Sequence, residues 1–359
     1  MDMTHWRVID TGLRPAAQNI ALNRALLEAR QAEEIPSTLR FLRFTPSALL
    51  GYHQSAEQEL NLDYCHEQGI TVQRRITGGG AIYFDETQIG WELYLHKRDL
   101  GTADMQVISQ RICHAAATAI SALGVDARFR PRNDIEVDGR KISGTGGAFD
   151  GDALMFQGTL LIEFDVEKML RVLRISAEKL SDKAIASARD RVANLKDLLG
   201  RRPDAGQIRS NMVEVFESTF GVEFSDGDLT LSEHQRYQEA LKEIDHPDWV
   251  GLVNRPAADM PILEAAQKFA GGLLRAAVTF DVTTRTLRQV WFTGDIFINP
   301  RRTIADLEAA LRDLPLDRLE QKVAAFFAGR SVDMLTLAPV DFADVIRLAL
   351  KQPLLAANP

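Results

Sequence analysis

The chain has 359 residues, 45% hydrophobic and 26% charged, so it is too long for one average core and two globular domains are expected. A net charge of −8 gives no global electrostatic footprint for nucleic acid, and no apolar run reaches the length of a membrane span. The two cysteines, Cys65 and Cys113, lack CxxC or metal-type spacing and read as thiols of a reducing compartment. The N-terminus lacks a basic region followed by an apolar stretch, so no signal peptide and a cytoplasmic location are expected.

Residues 5–10 read as a short strand. Pro15 sits where a first helical residue belongs, and a helix is predicted to about residue 34. Residues 39–44 and 47–51 are apolar strands parted by Thr45-Pro46. A short helix over 60–68 is stopped by Gly69. Strands 70–75 and 81–84 flank Gly78-Gly79-Gly80. Ile89, Trp91, Leu93 and Leu95 alternate as in a half-buried strand. A long helix covers 103–123, and strands cover 126–130 and 134–137.

Asp138-Gly139 predicts a tight hairpin, since that turn wants positive φ at both central positions. Lys141 and Ser143 then lie on the return strand. Residues 156–164 form another strand. A helix starts at Val166, and a charged helical region contains 187–195. Helices are predicted over 205–220 and 232–244. Composition shifts at His246-Pro247 and at Asn254-Arg255-Pro256, where a linker is placed. Beyond it, 271–280 and 286–292 form a strand pair, and 303–311, 316–328 and 341–350 are helical. Without a regular βαβ rhythm, the class is α+β.

Two stretches carry the chemistry. Arg74-Arg75-Ile76-Thr77-Gly78-Gly79-Gly80-Ala81 ends a strand in a glycine loop and turns straight into a second strand. Its glycines permit positive φ and close approach, and successive N–H groups can cradle an anion beside the Arg75 guanidinium. It is neither a P-loop nor a dinucleotide fingerprint, because no Gly-Lys-Ser/Thr closes it and a strand follows. A plain bend between strands is the alternative.

The second stretch runs from Arg132-Asn133-Asp134 through Asp138-Gly139-Arg140-Lys141-Ile142-Ser143-Gly144. Lys141 lies just past the turn among apolar and small residues, where its ammonium can reach a phosphate; a solvated surface lysine is the alternative. Asp134 could ligate Mg²⁺, orient Lys141 through an ion pair, or serve only as a turn residue at a strand start. Gln157 could meet a ligand or be a satisfied core amide. The seven histidines form no ligand pattern and read as structural or surface residues.

The arginine-glycine loop followed by the Asn-Asp…Asp-Gly-Arg-Lys-x-Ser-Gly hairpin resembles lipoate–protein ligase A. Gly158-Thr159-Leu160-Leu161 and Arg191-Val192-Ala193-Asn194-Leu195 share in that resemblance. It runs from about residue 5 to 250. Gly271-Gly272-Leu273-Leu274 and Gly294-Asp295-Ile296-Phe297 resemble the accessory domain that follows in many of these ligases.

The resemblance implies a biotin/lipoate ligase-like catalytic domain over 1–250, with mixed sheets flanked by helices, and a smaller α+β accessory domain over 257–359. It implies ATP with Mg²⁺, lipoate or octanoate as the acid, an acyl-adenylate intermediate, and a lysine of a lipoyl carrier domain as acceptor. By position, Lys141 is the catalytic residue and contacts the carboxyl end and the α-phosphate. Arg75, Gly78, Gly79, Gly80, Ala81, Ile82, Tyr83, Asn133, Asp134, Ser143 and Gly144 match the ATP and acyl-adenylate stretch. Gly79, Gln157 and Gly158 match the lipoate side, and Asp134 an acidic position near a metal. Leu49, Leu50, Ile82 and Trp91 are expected walls of an acyl tunnel.

The chain departs from the family's usual His-Asp-x-Gly-Asn at Phe84-Asp85-Glu86-Thr87-Gln88, and from His-Gly-Thr at Gln157-Gly158-Thr159. Two other readings stay open. One is an ATP-independent octanoyl or lipoyl transferase on the same fold, which uses a cysteine nucleophile; no cysteine stands at 129–133, just ahead of the hairpin. The other is a non-catalytic module that binds lipoate or its carrier.

Overall fold

The computed structural model describes residues 4–131, 133–174, 182–253, 260–334 and 337–351. Arg132 and the linker expected at 254–256 lie outside the described residues. The strands of the N-terminal part are β1 (Thr4–Arg14), β2 (Thr38–Phe44), β3 (Ser47–Leu50), β4 (Thr71–Arg74), β5 (Ile82–Phe84), β6 (Gln88–His96), β7 (Ala127–Arg130), β8 (Asp134–Val137), β9 (Arg140–Asp150), β10 (Ala153–Leu161) and β11 (Val222–Asp226). The helices among them are α1 (Ala16–Gln31), α2 (Ala56–Glu59), α3 (Leu62–Glu67), α4 (Lys97–Leu100), α5 (Met105–Ser121), α6 (Val166–Val172), α7 (Asp182–Arg189), α8 (Leu195–Leu199), α9 (Ala205–Phe220), α10 (Leu231–Ile244) and α11 (Pro247–Val250).

The chain forms two compact units. The first comprises Met1–Leu49, Glu59–Arg74 and Ile82–Val250; the second comprises Leu50–Gln58, Arg75–Ala81 and Gly251–Pro359. Two short segments from the N-terminal part, including the glycine loop, therefore group with the C-terminal residues.

The first unit is built on an eight-stranded mixed sheet in the order β11-β1-β2-β6-β10-β9-β8-β7. β1 runs parallel to both β2 and β11, and the pairs from β2 through β7 are antiparallel. A small three-stranded sheet, β4-β3-β5, flanks it. Helices α5 and α9 pack together, and their apolar faces share a core with Trp91, Leu93, Phe156 and Leu160. Helix α1 covers the opposite face of β2, β6 and β10, with α10 packed on it.

Central position overrides alternation in β6. Trp91, Leu93 and Leu95 are buried, but so are Glu92 and Tyr94 between them, so this strand is covered on both faces rather than half-buried. The polar ones survive there because α1 supplies partners. Arg40 pairs with Glu92 at 3.0 Å and donates to the Asn19 side chain, while Asn23 and the Tyr94 hydroxyl donate to Glu92. Such burial of charge is tolerable only when every polar atom is satisfied.

Other boundaries follow local chemistry. Asn61 accepts from the Tyr64 N–H and caps α3, so the helix expected over 60–68 begins only at Leu62. The charged helix expected through 195 ends at Arg189, because the next residues bond to β9 instead. Asp138 and Gly139 take φ of 51° and 74°, as the hairpin requires.

The second unit contains β12 (Ile262–Phe269), β13 (Gly272–Asp281), β14 (Thr286–Gly294), β15 (Ile298–Asn299), β16 (Leu314–Pro315) and β17 (Asp333–Met334). Its helices are α12 (Thr303–Ala310), α13 (Leu319–Ala328) and α14 (Pro339–Leu350). β12-β13-β14-β16 form a four-stranded antiparallel sheet, and the helices bury Phe292, Phe326, Phe327 and Phe342 against one face. β12, like β11 in the first unit and the two-residue strands β15, β16 and β17, is not given by the sequence patterning. Glu264, Gln267 and Lys268 break its apolar signal on a sheet edge.

Candidate active site

A β-bulge aims the lysine. β8 and β9 pair Asp134 with Gly144 and Ile135 with Ser143, then slip so that Glu136 faces Lys141. Ile142 is the extra residue. One inserted residue reverses the side-chain parity, placing Lys141 on the same face as Gly144 rather than that of Ser143. On this face the Lys141 ammonium lies 2.7 Å from Asp134 Oδ1, and Arg130 donates to Asp134 Oδ2 at 2.6 Å. Arg130 also reaches Glu136 at 3.2 Å.

Gly144 leaves the space in which the ammonium sits. A Cβ there would lie 2.8 Å from Lys141 Nζ. The Gly144 N–H donates to the Thr159 hydroxyl at 3.2 Å. The main chain of Lys141 is pinned from its other edge: its N–H donates to the Arg191 carbonyl, and its carbonyl accepts from the Ala193 N–H, both at 2.8 Å. The Arg191-Val192-Ala193 segment thus acts as a brace for the lysine. Asn133 secures the start of the hairpin by donating to the Thr145 carbonyl at 3.1 Å. Burial raises the pKa of the Asp134 carboxyl, but the charges of Lys141 and Arg130 outweigh it and hold the group below its ordinary value.

The Lys141 side chain is 38% exposed and that of Asp134 19%. This cluster is half-buried, with one ammonium held on an accessible sheet face. Gln157 shares the face, since it pairs with Glu92 across β6. The sequence pattern singles out neither Thr159 nor the bulge.

Other expected site residues point elsewhere. Ser143 is fully buried on the reverse face, among the side chains beneath α5. Gly158 faces the same way, and a Cβ on it would come within 2.2 Å of the Trp91 ring. Gly158 is therefore explained by Trp91 packing. Trp91 belongs to the α5–α9 core rather than to a tunnel wall on the Lys141 side. Leu49 and Ile82 pair with each other in the small sheet. Tyr83 is buried in the same sheet, and burial raises its hydroxyl pKa. Arg74 is spent on structure, for its guanidinium donates to the Trp249 and Val250 carbonyls at 3.1 and 2.6 Å.

In the second unit, Arg75 shapes the glycine loop from within. Its guanidinium donates to the Gly78 and Gly80 carbonyls at 3.1 and 2.8 Å. Burial lowers its pKa to about 10, so it stays a cation at neutral pH. Gly79 takes φ of 91°. The close approach that the loop's glycines permit is made here to Ile296 and Phe297. A Cβ on Gly78 would lie 2.1 Å from the Ile296 carbonyl oxygen, and one on Gly79 would lie 2.7 Å from the Phe297 ring. Gly294-Asp295-Ile296-Phe297 is thus the segment that seats the loop. Ala81 closes it into β5, half-buried.

Neither thiol is poised for chemistry. Cys113 lies in α5, fully buried, 3.3 Å from the Thr145 hydroxyl, and burial pushes it up to about 11 against that contact. Cys65 is buried in α3 and also raised by burial. Among the described residues no group of three His, Cys, Asp or Glu side chains could hold a metal ion. No described helix is long and apolar enough to cross a membrane.

An α+β sheet-and-helix unit that displays a braced hairpin lysine defines the class. Residues 15–217, more than half of the chain, match the lipoyl protein ligase A/B catalytic domain, and the chain belongs to that family. Its fold is the mixed-sheet α+β fold of the lipoate protein ligases. It is 26% identical over 265 residues to octanoyltransferase LipM of Moorella thermoacetica, a match covering 68% of this chain and 97% of that one. It is 29% identical over 249 residues to lipoate-protein ligase A subunit 1 of Thermoplasma acidophilum, covering 66% and 93%. Among solved structures, the bi-partite lipoate protein ligase of Thermoplasma acidophilum, described with its E2 lipoyl domain, superposes with a TM-score of 0.62 at 27% identity, covering 71% of this chain and 99% of that one. The protein is thus an enzyme of the family that contains lipoate ligases and octanoyltransferases.

Proposed function

We propose that the protein is an ATP-dependent ligase that joins lipoate or octanoate to a lysine of a lipoyl carrier domain. In the first step a carboxylate oxygen attacks the α-phosphorus of ATP, the acyl–AMP anhydride forms and pyrophosphate leaves. In the second, the carrier amine attacks the acyl carbonyl, an amide forms, and AMP and a proton leave. The relatives named lipoate-protein ligase support this reading, and the E2 lipoyl domain described with the archaeal ligase supports the acceptor.

The reading assigns Lys141 to the acyl carboxyl and the α-phosphate. A fixed ammonium there offsets the repulsion of two anions as charge shifts onto the bridging oxygen. Arg75 and the Gly78–Gly80 backbone are assigned to the nucleotide, and Gln157 to the acid. Asn133 and Gly144 hold the hairpin that carries the lysine, while Ser143 and Gly158 contribute only backbone. Asp134 does not suit Mg²⁺, because both its oxygens already face cations, so no step is routed through a metal on it.

The observation that carries the ligase over the transferase is the state of the thiols. The relatives named octanoyltransferase LipM keep acyl transfer without ATP as the second reading. A nucleophilic cysteine needs an accessible, low-pKa environment. Both cysteines of this chain are buried and raised. Lipoate-dependent ATP–pyrophosphate exchange tests the reading. Exchange by the wild type, lost in Lys141→Ala, is expected; acyl transfer from an acyl thioester with no exchange would replace it with the second reading.

A further inference from the structure

We propose that Asp134, steadied by Arg130, is a positioning residue that aims the Lys141 ammonium, and that its carboxylate is not a magnesium ligand. The inference deepens the proposed function and rests on it for the role of Lys141.

Lysine is a poor positioner of its own charge. Four rotatable bonds let the ammonium wander, and fixing them costs side-chain entropy. In this chain the backbone end is fixed by the Arg191 and Ala193 bonds, and the bulge sets the face. What remains is the far end of the side chain, and Asp134 Oδ1 is its charged partner at 2.7 Å. The missing Cβ of Gly144 opens the adjoining space. Asp134 is itself held, since Arg130 donates to Oδ2 at 2.6 Å and braces against Glu136 at 3.2 Å. The four charges alternate in sign across three neighbouring strands, β7 to β9.

A magnesium role would dismantle this arrangement. Mg²⁺ demands near-ideal octahedral oxygen geometry from one or two carboxylates plus substrate phosphates. To ligate it, Asp134 would have to turn an oxygen away from Lys141 or Arg130. That would place a divalent cation beside two cationic side chains.

The test uses the full chain, with exchange kinetics and an activity-independent probe. Asp134→Asn keeps the shape and removes the charge. It is expected to lower exchange kcat about tenfold or more, on the scale of a misplaced catalytic group, while half-saturating Mg²⁺ stays within about twofold. Arg130→Met is expected to give a smaller loss, and Arg130→Lys to recover part of it. A rise of about tenfold in half-saturating Mg²⁺ with Asp134→Asn would make the residue a metal ligand and overturn the inference. Unchanged kcat would overturn it as well.

The second probe is the rate of reductive methylation of Lys141, read by peptide mass spectrometry without ATP or acid. Labelling at Lys141 alone should accelerate about threefold or more in Asp134→Asn, as release from its ion-pair partner allows. Unchanged labelling would sink the positioning role even if the protein proves not to be a ligase. Conversely, faster labelling in a protein without exchange would leave the clamp standing and remove the ligase reading. Melting temperatures of all variants identify any loss that comes from unfolding.

Discussion

The Arg40–Glu92 pair and the Lys141–Asp134 pair lie on the same face of the eight-stranded sheet, and their surroundings separate them. Arg40 and Glu92 are sealed under α1, where Asn19, Asn23, Thr11 and Tyr94 satisfy the polar atoms around them. That network is closed and offers nothing to a ligand. Lys141 and Asp134 stand beyond the cover of α1, half-buried, with a glycine beside the ammonium. The same charge types therefore specify a sealed core in one place and an open, half-buried pair in the other. Completeness of the hydrogen bonding decides which.

The largest effect is expected from breaking the closed network. Glu92→Ala leaves the Arg40 guanidinium buried without its countercharge and should cost about 3–5 kcal/mol in urea unfolding. Replacing Arg40 and Glu92 together by methionine should recover much of that loss, since no lone charge is then left behind. At the open pair the pattern reverses. Lys141→Ala should remove at least ~2 kcal/mol of transition-state stabilisation in pyrophosphate exchange. Its unfolding free energy should fall by no more than about 1 kcal/mol, as for the loss of a partly exposed ion pair.

Gly158→Ala probes the reverse face of the sheet. The new methyl meets the Trp91 ring, and overpacking of this kind typically costs about 1–3 kcal/mol of stability. If exchange survives in proportion to the folded fraction, Gly158 acts through the core and not through the acid.

The smallest effect is the acid dependence of Asp134. Burial raises its pKa, but Lys141 and Arg130 depress it further, so the folded value lies below the unfolded one of about 3.9. Its stabilisation is then fully present above that unfolded value and fades as pH falls through the folded one. The stability gap between wild type and Asp134→Asn should be flat from about pH 5 upward and shrink below about pH 4, as unfolding titrations would show.

Motif chemistry was legible wherever it depended on local backbone demands. Asp138-Gly139 announced the hairpin, and Lys141 followed from it. The partner of Lys141 was legible only as one alternative among three, because the pairing of Asp134 with Gly144 depends on a bulge with no signature in the pattern around Ile142. Gly158 and Trp91 misled for a related reason. Neighbours in a motif alternate faces on a strand, so Gln157 and Thr159 share the Lys141 side while Gly158 between them does not. The apolar alternation of β6 read as half-burial because Glu92 and Tyr94 resemble a solvent face until Arg40 and Asn23 are brought to them by β2 and α1. Arg74 and Arg75 look equivalent in sequence. The first is bound to carbonyls 175 and 176 positions away, and the second to carbonyls of its own loop.

The central claim is acid activation by ATP with no thiol in the pathway, and a cysteine-free variant tests it most directly. Cys65→Ala combined with Cys113→Ala should retain ATP- and lipoate-dependent modification of a lipoyl carrier domain, within about threefold of wild type once the folded fraction is matched, as expected for buried non-reacting groups. Loss of that modification, together with an acyl thioester trapped on Cys113 of the wild type, would contradict the account.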